Sequence, residues 1–461
     1  MKTIMRTVTN MTSLKKNIRH VFWLFVAMFF GTVAYLSYFV LVEAPTIVNS
    51  TFNPRVRIVR DNVQRGTIYD RNGEALAYSV QGDRFYPHNS AFAHVIGHAT
   101  MGHSAIEERY NFYLTNVTHE FLQRAYNIAM GDIIKGDDLV LTVDAQLQNF
   151  ANNALAQRRG SIVVMQPSTG DILAMVSYPT YNPNTVREDW NDIIANEHSP
   201  LLNRATQGLY PPGSTFKTLT LASAIEQDAL ESFSHVCYGH ISAGGYSVNC
   251  FNNTAHGDID ATRAFAVSCN TFFVALAEYI GADAFSYSVG DFFAPVTFSL
   301  PMVQSQFSFN EEHGVGYLMQ TAIGQGRTLL TPLYMTMLTG AVYNGGVMRY
   351  PRVVGNISSP VTDSYANIFE EETATQLQQM MVQVVATGTG TPAAMENATL
   401  AGKTGTAEND AGASHGWFTG FVVDEDIAIT VMLEHSGGTS AVLPIVRDVA
   451  TFAVDLDWRI E

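Results

Sequence analysis

Two lysines stand out in this chain because lysine is almost absent from most of it. After the first 42 residues the sequence contains only Lys135, Lys217 and Lys403, and arginine supplies the other positive charges. Lys217 ends the segment Ser214–Lys217, which reads STFK. Lysine can lose its proton in a desolvated site, whereas arginine cannot. The pattern therefore predicts proton chemistry in which an amine acts beside a serine hydroxyl.

The serine of this segment begins a predicted helix. Two prolines and Gly213 would end any preceding secondary-structure element, and an apolar periodic pattern starts at Ser214. Residues three apart on a helix share one face, and a serine at a helix N-terminus lies beside free N–H groups in positive dipole potential. Ser214 could thus be a nucleophile with Lys217 as its base. Taken alone, a capping serine followed by a solvated lysine is the simpler interpretation.

Two further segments carry polar groups suited to holding a substrate. Ser268 and Asn270 lie two residues apart between two predicted helices, where the hydroxyl could relay a proton and the amide could hold a carbonyl. The segment Lys403–Thr406 reads KTGT and has the composition of an edge strand that a substrate backbone could approach and pair with. Taken alone, Ser268–Asn270 would be interpreted as helix capping and Lys403–Thr406 as the start of an ordinary strand.

The order of the three segments, S-x-x-K, then S-x-N, then K-T-G, resembles the serine penicillin-recognising enzymes. An N-terminal membrane anchor, described below, and the segment Arg65–Gly73 narrow the resemblance to class B penicillin-binding proteins. Further matches are Gly102–Tyr110, Ile323–Gly326 and Gly416–Phe418. It implies an α+β penicillin-binding transpeptidase fold, with an antiparallel sheet flanked by helices and an all-helical subdomain. It also implies a small N-terminal pedestal domain and one transmembrane helix.

The resemblance implies catalytic roles for three side chains. Ser214 would be the acylated nucleophile, Lys217 the general base and Ser268 the proton relay toward the leaving amine. The backbone N–H groups of Ser214 and Thr406 would form the oxyanion hole.

It also implies a substrate-binding role for the remaining residues of the three segments. Asn270 would hold the donor peptide, and Lys403 would set the electrostatics of the site and lower the pKa of Lys217. Thr404, Gly405 and Thr406 would dock the peptide, with Thr406 binding the terminal carboxylate.

The implied function is that of a peptidoglycan D,D-transpeptidase that cross-links stem peptides ending in D-Ala-D-Ala, with β-lactams as covalent inhibitors. Neither a cofactor nor a metal is implied. Two alternatives stay open. With water as the acceptor, the same site would make a carboxypeptidase or a β-lactamase. A non-enzymatic β-lactam sensor or division scaffold could also keep such a pocket.

An uncharged segment, Val21–Val42, predicts a membrane anchor. Its 22 residues would extend about 33 Å as a helix, enough to cross a bilayer core of roughly 30 Å. The preceding residues 1–20 are basic and without acids, which predicts a short tail inside the cell and a catalytic domain outside. A cleaved signal peptide is the alternative, but its apolar stretch should be shorter and Glu43–Pro45 is a poor cleavage site.

Beyond the anchor, the sequence predicts a non-catalytic pedestal at 43–140 and a transpeptidase domain at 141–461. No segment is expected to be a glycosyltransferase domain, which separates the chain from bifunctional class A proteins. The net charge of −16 argues against nucleic-acid binding. By family resemblance, the protein partners would be a SEDS-family glycosyltransferase and divisome or elongasome components at the cell membrane.

The three cysteines lie close together in the sequence. Cys237 and Cys250 flank a glycine-rich stretch that reads as a hairpin, and outside the membrane a disulfide can persist. We expect these two to pair, while Cys269 is expected to be a buried small hydrophobe.

The secondary-structure expectations rest on apolar periodicity and turn signals. In the pedestal, strands are predicted at Arg57–Val63 and Ala91–Ile96. His94, His98 and His103 match no dedicated zinc pattern and are expected to be structural. In the catalytic domain we predict helices at Ala145–Arg158 and Ser440–Leu456 and strands at Ser161–Gln166, Ile172–Tyr178, Trp417–Val423 and Ile427–Leu433.

Overall fold

The computed structural model describes residues 2–39, 63–100, 102–115, 134–310, 314–357, 364–409 and 412–456. It divides into two compact units. The first unit comprises Met1–Gln64 and Asn111–Gly136, and the second comprises Arg65–Tyr110 and Asp137–Glu461. The predicted strand Arg57–Val63 lies outside the described residues except for Val63.

The secondary structure mixes helices and strands along the whole chain. The described helices are α1 Lys2–Tyr38, α2 Ala93–Ile96, α3 Ala105–Arg109, α4 Asn111–Thr115, α5 Ala145–Leu155, α6 Trp190–Ala195, α7 Lys217–Glu226, α8 Ala261–Ala266, α9 Asn270–Ile280, α10 Ala282–Asp291, α11 Gly314–Ala322, α12 Pro332–Tyr343, α13 Glu371–Thr387 and α14 Leu443–Asp455. The described strands are β1 Val63–Gln64, β2 Ile68–Tyr69, β3 Ala75–Val80, β4 Asp83–Phe85, β5 Ile134–Lys135, β6 Leu139–Val140, β7 Gly160–Met165, β8 Ile172–Tyr178, β9 Val236–Cys237, β10 His240–Ala243, β11 Tyr246–Asn249, β12 Gly257–Asp258, β13 Val347–Arg349, β14 Tyr365–Asn367, β15 Leu400–Ala407, β16 His415–Val422 and β17 Ile427–Leu433.

The first unit contains the predicted anchor. Within α1, the stretch Ile18–Tyr38 spans 21 residues with a mean hydropathy of 1.8. Among the described residues, α1 is the one helix long and apolar enough to cross a membrane. It overlaps the predicted anchor Val21–Val42, of which residues 40–42 lie outside the described part of the chain. In the same unit, β1 pairs in parallel with β5.

The second unit is built on a five-stranded antiparallel sheet in the order β15-β16-β17-β7-β8. Two hairpins, β7–β8 and β16–β17, agree with the predicted strands to within a residue or two. The sheet therefore joins chain segments that are more than 200 residues apart, as the predicted α+β class requires. Strand β15, which carries the KTGT sequence, lies at one edge of this sheet.

Side chains alternate between the two covered faces of the sheet. On one face, Ile162 and Val431 pack with the apolar sides of α5 and α14 in a single core. On the other face, the hydroxyl of Thr419 contacts that of Thr339 on α12 at 2.5 Å. The α5 prediction is confirmed at its start, where Asp144 accepts a hydrogen bond from the Leu147 N–H at 2.8 Å.

The predicted strand Ala91–Ile96 is wrong. A 3-10 turn, Asn89–Phe92, runs into helix α2 there, and Gly97 ends that helix with φ +80°. Because the apolar run is short and buried throughout, its periodicity cannot separate a strand from a buried helix.

The three histidines of this region each contact a different protein group. His94 Nε2 lies 2.9 Å from the Pro200 carbonyl oxygen, His98 Nδ1 contacts the Thr100 carbonyl, and His103 Nε2 lies 3.5 Å from Arg65. These are structural contacts of the predicted kind.

A buried ion cluster joins the two segments Arg65–Gly73 and Gly102–Tyr110, which carry part of the family resemblance. Glu107 is fully buried, and its carboxylate accepts from Arg65 Nη2 at 2.5 Å and from Arg84 Nε at 2.7 Å. The Tyr86 hydroxyl donates to the same carboxylate at 3.3 Å. Burial alone would raise the pKa of Glu107, but the two guanidinium groups outweigh it and hold the pKa at about 2.

We expect Glu107→Gln to lower the free energy of unfolding by about 3–5 kcal/mol, because it leaves two buried cations without their anion. Since the folded pKa lies below the unfolded one, this stabilisation is present at neutral pH and disappears as pH falls through about 2. Denaturant unfolding of the purified protein at neutral pH measures the effect. Glu108→Gln, at the exposed neighbouring position, should change stability by less than about 0.5 kcal/mol. Equal effects of the two substitutions would contradict the cluster's role.

Candidate active site

The serine of the STFK segment lies in a 3-10 turn, Gly213–Phe216, that leads into α7. Gly213 has φ +54°, and a Cβ there would lie 2.4 Å from the Thr406 carbonyl oxygen. Its N–H donates to the Gly324 carbonyl at 2.8 Å. The Lys217 N–H donates back to the Ser214 carbonyl, which fixes the turn. Half-buried Ser214 is therefore held between the KTGT strand and the loop that contains Gly324.

Lys217 is fully buried and surrounded by neutral acceptors. Its Nζ donates to Asn270 Oδ1 at 2.6 Å and to the Ser268 carbonyl and hydroxyl oxygens at 2.8 Å and 3.2 Å. The ring of Phe273 lies 5.4 Å from the same Nζ. The first turn of α7 thus directs this amine at the Ser268–Asn270 connection.

Lys403 is the second fully buried amine, and it reaches the same connection from the sheet. Its Nζ donates to Ser268 Oγ at 3.0 Å and to the Thr404 carbonyl at 3.0 Å. The hydroxyl of Ser268 therefore lies between two lysine amines from opposite sides of the site. Ser268 itself has φ +60°, a left-handed conformation that is uncommon outside glycine.

Two contacts differ from a simple interpretation of the sequence. Ser214 Oγ has no hydrogen-bond partner within the described residues, because the Lys217 amine is directed at Ser268 and Asn270 instead. Asn270, expected to hold the substrate, has both ends of its amide engaged, since its Nδ2 also donates to the Asn249 carbonyl at 2.7 Å. In this state Asn270 orients Lys217, and a contact with substrate stays a prediction.

The KTGT strand presents three different environments. Thr404 is buried, and its hydroxyl lies 2.5 Å from that of Thr389, a residue that the sequence did not single out. At Gly405 a Cβ would come within 2.9 Å of the Pro212 carbonyl, so glycine permits the strand to approach the serine turn. The Thr406 side chain is exposed beside that turn, where a ligand carboxylate could reach it.

Burial controls the protonation of both amines. It lowers the pKa of Lys217 from 10.5 to about 7. It also lowers the pKa of Lys403 well below its usual value, and repulsion from Lys217 adds to that effect. Repulsion between the two amines therefore acts on the pKa of Lys403, whereas burial is the cause of the lowered pKa of Lys217. The predicted effect of Lys403 on the pKa of Lys217 stays a prediction. An amine with a pKa near neutrality can accept a proton in catalysis.

A buried polar cluster that the sequence analysis missed supports the entry to the serine turn. The Tyr210 hydroxyl donates to Glu434 Oε1 at 2.7 Å, and Arg204 Nε donates to the same oxygen at 2.7 Å. Arg159 lies 3.8 Å from the other carboxylate oxygen. These residues come from distant parts of the sequence, so only the fold reveals that they meet at Tyr210.

The predicted disulfide between Cys237 and Cys250 is not formed. All three cysteines are buried free thiols, and the Cys237 and Cys250 sulfur atoms are 3.7 Å apart. The predicted hairpin between them is confirmed as β10–β11. Cys269 is fully buried, as predicted, but its sulfur lies 3.7 Å from that of Cys250.

Comparison with known proteins agrees with this geometry. The family model "Penicillin binding protein transpeptidase domain" matches residues 160–451, and "Penicillin binding protein A dimerisation domain" matches residues 65–139. The chain belongs to the class B penicillin-binding proteins. It is 30% identical to the peptidoglycan D,D-transpeptidase MrdA of Acinetobacter baumannii, over 84% of this chain and 69% of that protein.

Two solved penicillin-binding proteins illustrate the shared fold. The imipenem acyl-enzyme complex of penicillin-binding protein A from Mycobacterium tuberculosis superimposes with a TM-score of 0.78 at 28% identity, covering 86% of this chain and all of that one. PBP2 in its complex with MreC from Helicobacter pylori gives 0.75 at 23% identity, covering 86% of this chain and 98% of that one. The α+β transpeptidase fold predicted from the sequence is confirmed.

The contact between the serine turn and the KTGT strand yields a prediction. Gly213→Ala should lower the melting temperature, because its Cβ would clash with the Thr406 carbonyl and its φ of +54° disfavours a side chain. Gly245→Ala is a matched control, since Gly245 also has a positive φ, +82°, but has nothing within 4 Å of a Cβ. The expected cost is about 1 kcal/mol for the control and several-fold more for Gly213→Ala. Equal shifts in the two melting curves would contradict the close packing.

Proposed function

We propose that this protein is a peptidoglycan D,D-transpeptidase in which Ser214 forms the acyl-enzyme, and that β-lactams inactivate it by acylating the same serine. The observation that carries the proposal is the convergence of two buried lysine amines on the Ser268 hydroxyl, beside a serine turn packed on an edge strand. Membership of the class B penicillin-binding proteins and the acyl-enzyme complex of the mycobacterial relative support it.

In the proposed first half-reaction, Ser214 Oγ attacks the carbonyl carbon of the bond between the two D-alanines. Neutral Lys217 takes the hydroxyl proton as the Oγ–C bond forms. The C–N bond then breaks, and Ser268 passes a proton to the departing D-alanine amine. This path requires the Lys217 side chain to rotate from Asn270 toward Ser214. Ser214 precedes Lys217 by one helical turn.

In the second half-reaction, the amine of a neighbouring stem peptide attacks the ester carbonyl carbon. As the new C–N bond forms, Lys217 takes a proton from the amine, and it returns this proton to Ser214 Oγ when the Oγ–C bond breaks. Transition-state charge on the carbonyl oxygen would be stabilised by the backbone N–H groups of Ser214 and Thr406, and each such donor typically contributes about 10²–10³ in rate. Lys403, Thr404 and Gly405 would dock the donor peptide along β15, and exposed Thr406 would bind its carboxylate.

The proposed domain organisation places this chemistry outside the cell. Residues 1–20 would form the cytoplasmic tail and 21–42 the single membrane anchor, followed by the pedestal at 43–140 and the transpeptidase domain at 141–461. The basic, acid-free tail supports this orientation. Proposed partners are a SEDS-family glycosyltransferase and divisome or elongasome components; the complex of PBP2 with MreC shows that a protein of this fold can bind such a component.

Labelling with fluorescent penicillin, followed by peptide mapping, tests the nucleophile. We expect the label on Ser214 and complete loss of labelling in Ser214→Ala, while Ser247→Ala on the exposed hairpin labels normally. A label on any other residue would refute the assignment. A cross-linking assay with defined donor and acceptor stem peptides then separates the activities, because hydrolysis as the main product would indicate a carboxypeptidase or β-lactamase.

The base assignment predicts a specific pH dependence of acylation. Lys217 is protonated below its pKa of about 7 and neutral above it, so the labelling rate should rise with pH around that value and then level off. Lys217→Arg should lower the rate by about 10²–10⁴ and remove this step, because arginine keeps its proton. Labelling reactions stopped at successive times across a pH series measure the rates of the wild-type protein and of Lys217→Arg, with Lys135→Arg as a control. A wild-type rate that does not change across this pH range would contradict the role of Lys217.

A further inference from the structure

Thr389 connects two of the chain segments that form the active site. Its backbone N–H donates to the Ala266 carbonyl at 3.0 Å, and its hydroxyl lies 3.4 Å from the same oxygen. The hydroxyl also lies 2.5 Å from that of Thr404 on the KTGT strand. Ala266 is the last residue of α8 and comes shortly before Ser268 in the sequence. Thr389 therefore joins β15 to the helix that leads into the S-x-N segment.

The geometry assigns a direction to these hydrogen bonds. A hydroxyl group has one proton to donate and two acceptor positions. The Thr389 hydroxyl is placed to donate to the Ala266 carbonyl, so it accepts the proton of Thr404. That carbonyl belongs to the last turn of α8, where carbonyl groups have no partner within their own helix. The hydrogen bonds thus run from the buried Thr404 hydroxyl through Thr389 to the end of α8.

The loop that carries Thr389 is held against α8 by further contacts. It begins directly after α13, and Arg263 of α8 donates to the carbonyl of Thr387, the last residue of α13, at 3.1 Å. At Gly388 a Cβ would lie 2.2 Å from the Ala266 carbonyl oxygen, so glycine permits the loop to approach α8 closely. The position of Thr389 is therefore fixed by the packing of two helices.

The two segments that Thr389 joins also meet inside the active site. Lys403, the residue before Thr404, donates from its Nζ to Ser268 Oγ at 3.0 Å. In the proposed reaction Ser268 passes a proton to the leaving amine, so this inner contact changes during every turnover. The contacts of Thr389 involve no reacting group. They can hold the two segments at one separation while the inner contact changes.

We propose that Thr389 is a positioning residue for the acyl-transfer reaction. Its hydroxyl sets the separation between β15 and the S-x-N segment, and this separation keeps the Ser268 hydroxyl within hydrogen-bond range of Lys403. The inference rests on the proposed function, because it concerns the same site. Thr389 itself is exposed, whereas Thr404 is buried. A substitution at 389 can therefore remove the hydrogen bonds without changing the core.

Replacement of Thr389 by valine tests this role, because valine has nearly the same shape but no hydroxyl. Penicillin labelling of the full-length protein in detergent yields two quantities. The final extent of labelling counts the folded sites, and the limiting rate at saturating penicillin measures acylation. We expect Thr389→Val to reach the wild-type extent with a limiting rate about tenfold lower, the factor that corresponds to one lost hydrogen bond. Thr389→Ser keeps the hydroxyl and should restore the wild-type rate.

Thr387→Val is the matched control for the loss of a hydroxyl in this region. Thr387 is also exposed, and its hydroxyl donates to the Gln383 carbonyl within α13. We expect this variant to be labelled like the wild type. A limiting rate that is unchanged in Thr389→Val, or lowered equally in Thr387→Val, would overturn the proposal. A higher half-saturating penicillin concentration with an unchanged limiting rate would also overturn it, because that result would indicate direct contact with the ligand.

A double substitution tests whether Thr389 acts through Thr404. Thr404→Val should lower the limiting rate by itself. The variant that carries both Thr389→Val and Thr404→Val should be no slower than Thr404→Val, since either change breaks the same contact. Effects that multiply would contradict a role through Thr404. Labelling of Ser214 is measured independently, so the assignment of the nucleophile and the role of Thr389 can fail separately.

Discussion

The site depends on the burial of two lysine amines around one hydroxyl group. A fully buried ammonium ion costs several kcal/mol even after the protein relaxes, and within the described residues no carboxylate forms an ion pair with Lys217 or Lys403. Their acceptors are neutral oxygens of Ser268, Asn270 and Thr404. Such oxygens stabilise an ammonium less than an anion would, so protons are held weakly. Without a counter-ion, a buried lysine amine loses its proton easily and can act as a proton acceptor. Glu107 is the opposite case, because two arginines keep it ionised.

This constraint explains why the site is assembled from three distant segments. One helix could place two amines near each other, but it could not also surround them with apolar groups and carbonyls. The first turn of α7, the connection before α9 and the edge strand β15 each supply one wall. Their mutual approach requires positions without a side chain, and Gly213 and Gly405 provide them where backbone meets backbone. The large sheet and its two helical layers hold these walls at fixed separations.

The sequence predicted those parts of the structure that depend on local patterns. The strands Ile172–Tyr178 and Ile427–Leu433 have mostly apolar side chains and are flanked by clear turn signals. The spacing of Ser214 and Lys217 places both residues on the same turn of the chain. What it missed depends on contacts between distant residues. The direction of the Lys217 amine is set by oxygens 51 and 53 residues away in the sequence, and the partner of Thr404 is another threonine. The short run Ala91–Ile96 is buried throughout, so its apolar pattern does not distinguish a helix from a strand.

The cysteines are a further case in which contacts between distant residues could not be predicted from local patterns. From the sequence, Cys237 and Cys250 form a natural pair across a hairpin, and Cys269 looks like an unrelated small apolar residue. The fold brings Cys269 beside them, since Cys269 lies between Ser268, which contacts both amines, and the start of α9. A shift of that connection by even 1 Å would lengthen one of the contacts from Ser268 Oγ, at 3.2 Å and 3.0 Å, beyond hydrogen-bond range. The residue between Ser268 and Asn270 therefore bears directly on the geometry of the site, and its sulfur packs 3.7 Å from that of Cys250.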